Sequence, residues 1–230
     1  MPDLILALDL PRGEDALRLL DRIPQVRWVK VGSILMCREG PELVRTLVAR
    51  GLKVFLDLKW HDIPHAVAGA VAGSRELGVS MATVHTLGGT AMLEAAAVAA
   101  GTELALVGVT ALTSHDRGTY ALALGRNDVD LSAEVGRLAR LGMLAGLRGV
   151  VCSPHEVSLL RQQLGPDPYI VVPGIRRRSD PLGDQVRVAT AKDAVHNGAT
   201  HLVVGRPVLQ APDPVAAMEE FMKESRCTAS

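Results

Sequence analysis

The chain has 230 residues, 48% hydrophobic, 22% charged and 3% aromatic, with 25 basic and 25 acidic side chains. That length and apolar share suit one large core, and zero net charge gives no reason to expect a nucleic acid or an anionic membrane as partner. The few aromatic rings argue against a base-stacking platform, and three scattered cysteines (Cys37, Cys152, Cys227) argue against a disulfide framework or a structural zinc site.

The apolar run at 4–9 predicts a first strand. It is too short, and too soon interrupted by Asp9, for a signal peptide or a membrane span, so a cytoplasmic protein is expected. Ala16, Leu19, Leu20 and Ile23 then recur at helical spacing. A strand over 27–31 leads to a helix from Pro41 to Arg50. The third strand, 53–59, precedes Pro64, placed as a helix's first residue, and an Ala-rich stretch over 67–77. A strand over 80–85 and an Ala-rich helix over 90–100 come next. The fifth strand, 103–110, is followed by a helix marked by Leu131, Val135 and Leu138. Strands over 149–153, 169–173 and 200–205 alternate with helices over 154–164, 188–196 and 207–222. The strand runs are nearly continuous in Val, Ile, Leu and Ala, the pattern of parallel strands covered on both faces. Eight strand–helix units with no linker predict an α/β fold, a single-domain (β/α)₈ TIM barrel over residues 1–230. A doubly wound open sheet is the competing architecture, but no G-x-G-x-x-G follows the first strand.

In such a barrel the reacting groups stand at the C-terminal ends of strands. Asp9, Lys30, Asp57, Lys59, His85 and Thr110 all fall there. The densest stretch is Asp57-Leu58-Lys59-Trp60-His61-Asp62. Alternation points Asp57 and Lys59 to one side of the strand, and Asp62 follows within one turn of loop. Only five of the 25 basic residues are lysine, so Lys30 and Lys59 stand out where an arginine would be the default. An ammonium has a tunable pKa and a guanidinium does not. In an array of Lys30, Asp57, Lys59 and Asp62, each ammonium keeps its neighbouring carboxylates ionised, and a rigidly held lysine can deliver a proton to a carbanion.

Two loops suit an anion such as phosphate. Gly205-Arg206-Pro207 follows the last strand, and Arg176, Arg177, Arg178, Gly183 and Gln185 follow the seventh. An ordinary strand–helix turn and a solvated arginine cluster are the plainer readings of the same residues. The histidines show no metal pair, there is no G-x-S-x-G, and no cysteine stands in a nucleophile setting. No metal is therefore assigned and no covalent intermediate is expected.

Asp57-Leu58-Lys59-Trp60-His61-Asp62-Ile63-Pro64 is similar to the D-x-K-x-x-D-I-P signature of the orotidine 5′-phosphate decarboxylases. Ala7-Leu8-Asp9, Val29-Lys30-Val31-Gly32, Leu112-Thr113-Ser114, Pro173-Gly174-Ile175-Arg176, Gly183-Asp184-Gln185 and Val204-Gly205-Arg206-Pro207 agree in order and spacing, so the chain resembles that family over essentially its full length. The resemblance implies a carboxy-lyase that turns orotidine 5′-monophosphate into uridine 5′-monophosphate and CO₂, with no metal or organic cofactor. It implies Lys59 as proton donor to C6, Asp57 beside the substrate carboxylate, and Lys30 and Asp62 completing the charge network. Lys30 would also lie near the ribose and Asp9 near the ribose or base. Thr113 and Ser114 would meet the pyrimidine, and Arg176, Gln185, Gly205 and Arg206 the phosphate. Asp62 would reach into a partner's site, which implies a homodimer. One departure is Ala66, where the family commonly carries a threonine. Its loss would remove a hydroxyl from the ribose site, worth on the order of 1 kcal/mol. A magnesium-dependent sugar-phosphate decarboxylase or hexulose-phosphate synthase shares the D-x-K-x-x-D core and is the rival activity. A non-catalytic phosphate-binding barrel would leave the four charged residues without a task.

Overall fold

A computed structural model describes residues 2–177, 180 and 187–226. The chain runs β1 (Asp3–Ala7), α1 (Gly13–Arg22), β2 (Trp28–Gly32), α2 (Ser33–Ala49), β3 (Lys53–Trp60), α3 (Pro64–Glu76), β4 (Met81–His85), α4 (Gly89–Ala100), β5 (Ala105–Val109), α5 (Arg117–Ala123) and α6 (Leu131–Leu144). It continues through β6 (Gly149–Val151), α7 (Val157–Leu164), β7 (Tyr169–Val172), α8 (Ala191–His196), β8 (His201–Val204), α9 (Arg206–Leu209) and α10 (Pro214–Arg226). The eight strands close in sequence order into one parallel barrel, with β8 pairing back onto β1 through Asp3↔His201 to Leu6↔Val204. The (β/α)₈ expectation holds.

Each strand is apolar on both faces because each face is covered. One set, Ile5, Ala7, Trp28, Phe55, Met81, Val107, Val171 and Val203, fills the barrel interior. The alternate set, including Leu6, Val29, Val54, Leu56, Ala82, Leu106, Val150, Ile170 and Leu202, packs against the helices. Each fully buried Leu, Ile or Phe contributes about 1.5–3 kcal/mol.

The helices depart from expectation in three places. α2 begins at Ser33, with Gly40 at φ 64° breaking it before Pro41. The breaker was legible; the segment ahead of it was not. α5 follows a polar loop and was unexpected. Its cue is local: the Asp116 side chain accepts from the Thr119 N–H at 2.8 Å, and the Asp116 N–H donates back to the Thr119 hydroxyl at 3.0 Å. The last expected helix divides into α9, a single turn, and α10 beyond Pro212.

Candidate active site

The interior residues alternate along each strand, so the layer above the apolar plug can be written down. Two residues beyond Ala7, Trp28, Phe55, Met81, Val171 and Val203 stand Asp9, Lys30, Asp57, Thr83, Pro173 and Gly205. Five of these six, all but Thr83, line one cavity of about 280 Å³ at the C-terminal end of the barrel. The register supports the grouping, since Ala7 pairs with Lys30 and Gly32 with Asp57.

Asp57 sits at the centre of the charges. Its Oδ1 lies 2.8 Å from Lys59 Nζ and its Oδ2 3.6 Å from Lys30 Nζ, while Lys30 also donates to Asp9 Oδ1 at 2.9 Å. The side chains of Asp57 and Lys30 are 14% and 12% exposed and those of Lys59 and Asp9 39% and 43%, so the inner pair is deep and the outer pair faces the mouth. Burial alone would push the Asp57 carboxyl up. The charges of Lys30 and Lys59, with hydrogen bonds from Lys59 and Thr83, outweigh it and hold the group below the usual carboxylate range.

Plain alternation does not account for Lys59. The β3–β4 ladder runs Leu56↔Ala82 and then Trp60↔Val84, so β3 carries two more residues than β4 across that interval. Within the irregularity Lys59 has φ 52°, the one non-glycine residue with positive φ among those described. Such backbone costs of order 1–3 kcal/mol and persists only where its surroundings hold it. Thr83 supplies that hold. Its hydroxyl accepts from the Lys59 N–H at 2.8 Å and donates to Asp57 Oδ1 at 3.1 Å, and the residue is fully buried. Thr83 was not singled out from sequence, because a threonine inside a β-like run passes as a strand former. The available signal was its place two residues past inward-facing Met81.

The remaining walls come from loops. Leu112, Thr113 and Ser114, past β5, form one side, and Arg176, Gly205 and Arg206, past β7 and β8, form another. The Arg176 N–H donates to the Ala189 carbonyl at 3.0 Å, which ties the end of β7 to the segment before α8. The arginine cluster divides. Arg176 lines the cavity, whereas Arg177 turns onto α10, pairing with Asp180 and Glu220 and lying over the Phe221 ring. Arg178, Gly183, Asp184 and Gln185 lie outside the described residues, as does Cys227.

Three strand-end residues fall elsewhere. Asp62 does not line its own chain's cavity; it is exposed, and its Oδ1 accepts from the Ile63 N–H at 2.6 Å. His65 and Ala66, in the first turn of α3, are exposed beside it. Thr110 is buried and spends its hydroxyl on the Val151 carbonyl at 2.9 Å, a packing role. His85 stacks on His61 with ring centroids 5.4 Å apart, and burial, His61 and Lys59 push it down to about 4. Among the described residues no cluster of His, Cys, Asp or Glu has the arrangement to hold a metal ion. Cys37 is exposed and Cys152 buried, both as free thiols. No helix among the described residues is long and apolar enough to cross a membrane.

A carboxylate held ionised between two ammonium groups lines the same cavity as two arginines, so the site can hold an anionic substrate and offers lysine ammonium groups as proton donors. Residues 2–221 match the model of the family described as orotidine 5′-phosphate decarboxylase / HUMPS. The chain is 48% identical over 225 residues to the orotidine 5′-phosphate decarboxylase of Alkalilimnicola ehrlichii, covering 96% of this chain and 95% of that one. It is 46% identical over 226 residues to the protein of the same name from Opitutus terrae, with 96% and 97% covered. Among solved structures, orotidine 5′-phosphate decarboxylase from Lactobacillus acidophilus superposes with a TM-score of 0.86 at 34% identity, over 99% of this chain and 100% of that one.

Proposed function

The chain belongs to the orotidine 5′-phosphate decarboxylase / HUMPS family, and from that premise we propose that it is an enzyme converting orotidine 5′-monophosphate to uridine 5′-monophosphate and CO₂, the last step of de novo pyrimidine synthesis. The observation that carries the reading is Asp57, held ionised between Lys30 and Lys59 in the cavity that Arg176 and Arg206 also line.

In this reading the substrate carboxylate lies beside Asp57. The bond from C6 to the carboxylate breaks, CO₂ leaves, and the electron pair stays on C6. The Lys59 ammonium, already aimed by its 2.8 Å bond to Asp57, gives a proton to C6 and regains one from solvent. Lys30 and Asp9 hold the ribose end, and Thr113 and Ser114 meet the pyrimidine. Arg176 and Arg206 bind the phosphate as charge-assisted donors, with Gly205 leaving room and Gln185 contributing from the loop. Each copy is a single barrel domain, acting in the cytoplasm without metal or organic cofactor. Two copies associate, and Asp62 of each reaches the site of the other. That arrangement is supported by its exposed position outside its own cavity.

The test is the absorbance change on loss of orotidine 5′-monophosphate, run with and without chelator. The expected outcome is turnover at equal rates in both. No loss of orotidine 5′-monophosphate, with turnover of a sugar phosphate that chelator abolishes and magnesium restores, would transfer the chain to the metal-dependent sugar-phosphate branch.

A further inference from the structure

Glu156 and Arg187 form a buried ion pair at the top of the barrel, 4% and 7% exposed, and neither lines the cavity. Arg187 donates through Nη1 to Glu156, and through Nη2 to the backbone oxygens of Leu112 at 3.1 Å and Ala111 at 3.5 Å. The other Glu156 oxygen accepts from the Ser153 N–H at 3.0 Å and from the Ser153 hydroxyl. Two residues beyond Arg187, Ala189 bridges Ile175 and accepts the Arg176 N–H. One guanidinium thus joins the chain just past β5, β6 and β7.

Stability does not explain the pair. Burying two charges is costly, apolar residues of the same volume commonly do as well, and the Arg187 Nε–H has no partner among the described residues. What the pair contributes is geometry. Leu112 leads directly into Thr113 and Ser114, and Ala189, two residues past Arg187 in the chain, is fastened to Arg176, so two walls of the cavity, past β5 and past β7, are tied to the residue that Glu156 seats. We propose that Arg187, seated on Glu156, is a positioning residue that sets the spacing between the Thr113–Ser114 wall and the Arg176 wall of the active site. Lysine could not replace it, because one ammonium cannot serve a carboxylate and two carbonyls in a planar fork. The identity of the substrate between the walls rests on the decarboxylase reading; the coupling of the walls does not.

The experiment compares wild type, Arg187→Met, Arg187→Lys and Glu156→Gln. Amide hydrogen exchange is measured on ligand-free protein, and kcat and KM on orotidine 5′-monophosphate. In Arg187→Met, exchange at 111–116 accelerates at least about tenfold while β1–β3 keep their protection. Its kcat/KM falls about a hundredfold, the size expected when reacting groups shift by about 1 Å. Arg187→Lys recovers only part of this. The double wall variant Thr113→Val/Ser114→Ala, costly in the wild type, adds less than about twofold in the Arg187→Met background, because the wall it alters is already displaced. Should Arg187→Met fail to fold, Glu156→Gln, which keeps the shape and loses the charge, shows the same pattern at smaller size. Unchanged exchange at 111–116, or fully additive effects of the wall and Arg187 variants, overturns the proposal. If the wild type does not decarboxylate orotidine 5′-monophosphate, the proposed function fails while the exchange comparison still decides this inference.

Discussion

Asp57 and Lys59 are the residues most plainly read from sequence, yet their working geometry depends on a third. Alternation brings them to one side of a strand, but it does not make Lys59 adopt φ 52° or aim its amine at Asp57 Oδ1. Thr83 reaches both from β4, in register with neither in sequence. Thr83→Val keeps the shape and removes the hydroxyl. A hydrogen bond to a charged group is worth about 1.5–3 kcal/mol. The expected result is therefore a fall in kcat of about one to two orders of magnitude, with a lowered Tm because the Lys59 N–H loses the partner that holds its strained backbone. An unchanged kcat would mean that the two lysines alone orient Asp57. Lys59→Ala should cut turnover by orders of magnitude while the fold persists, and near-normal turnover would remove Lys59 from its proposed role as acid.

At the scale of elements, all eight strands were legible because a buried parallel strand is a short Val/Ile/Leu/Ala run. Strand ends were placed one or two residues too late in β1, β5, β6, β7 and β8, because the residues past the ladder turn to other partners: Asp9, Pro173 and Gly205 to the cavity, Thr110 to the Val151 carbonyl, and Ser153 to Glu156. Gly32, at the end of β2, shows how an element's end shapes the site. A Cβ there would stand 3.2 Å from Lys30 Nζ and 3.3 Å from Asp9 Oδ1. The flexible ammonium can yield, but only by leaving its place between Asp9 and Asp57. Gly32→Ala is thus expected to keep the barrel and to lower kcat/KM on the order of tenfold to a hundredfold. Wild-type kinetics in that variant would show that Lys30 need not hold this position.

Over the whole molecule, the closed barrel has a chemically distinct top and bottom. At the bottom His201 packs against Trp28 and Tyr169 and is 4% exposed. Burial, opposed by Asp3 and aided by Lys53, pushes it down to about 4. The folded protein therefore takes up this proton less readily than the unfolded chain. The stability contribution is complete above pH 6.5, the ordinary value, and is lost as pH falls toward 4. His85 acts in the same direction. Tm should decline across that interval, and His201→Gln should make the decline shallower; an unaltered slope would place the responsible protonation elsewhere. At the top, Asp62 is exposed and its neighbour Ile63 is 66% exposed, which leaves both open to the association proposed above. If each copy completes the other's site, mixing Asp62→Ala with Lys59→Ala subunits restores part of the activity in heterodimers. No recovery would argue for sites confined to one chain.

Hydrophobic period and strand-end charge are local properties of a chain. They make the barrel legible from sequence, together with the cavity residues Asp9, Lys30, Asp57 and Lys59 at strand ends and Arg176, Gly205 and Arg206 in the loops that follow, while Thr113 and Ser114 were named only through the family resemblance. Thr83 on Asp57, Arg187 on the Leu112 carbonyl and Arg177 turned onto α10 emerge only from the tertiary structure. Each depends on which side chains meet when strands far apart in sequence are closed into a ring, and no local spacing carries that information.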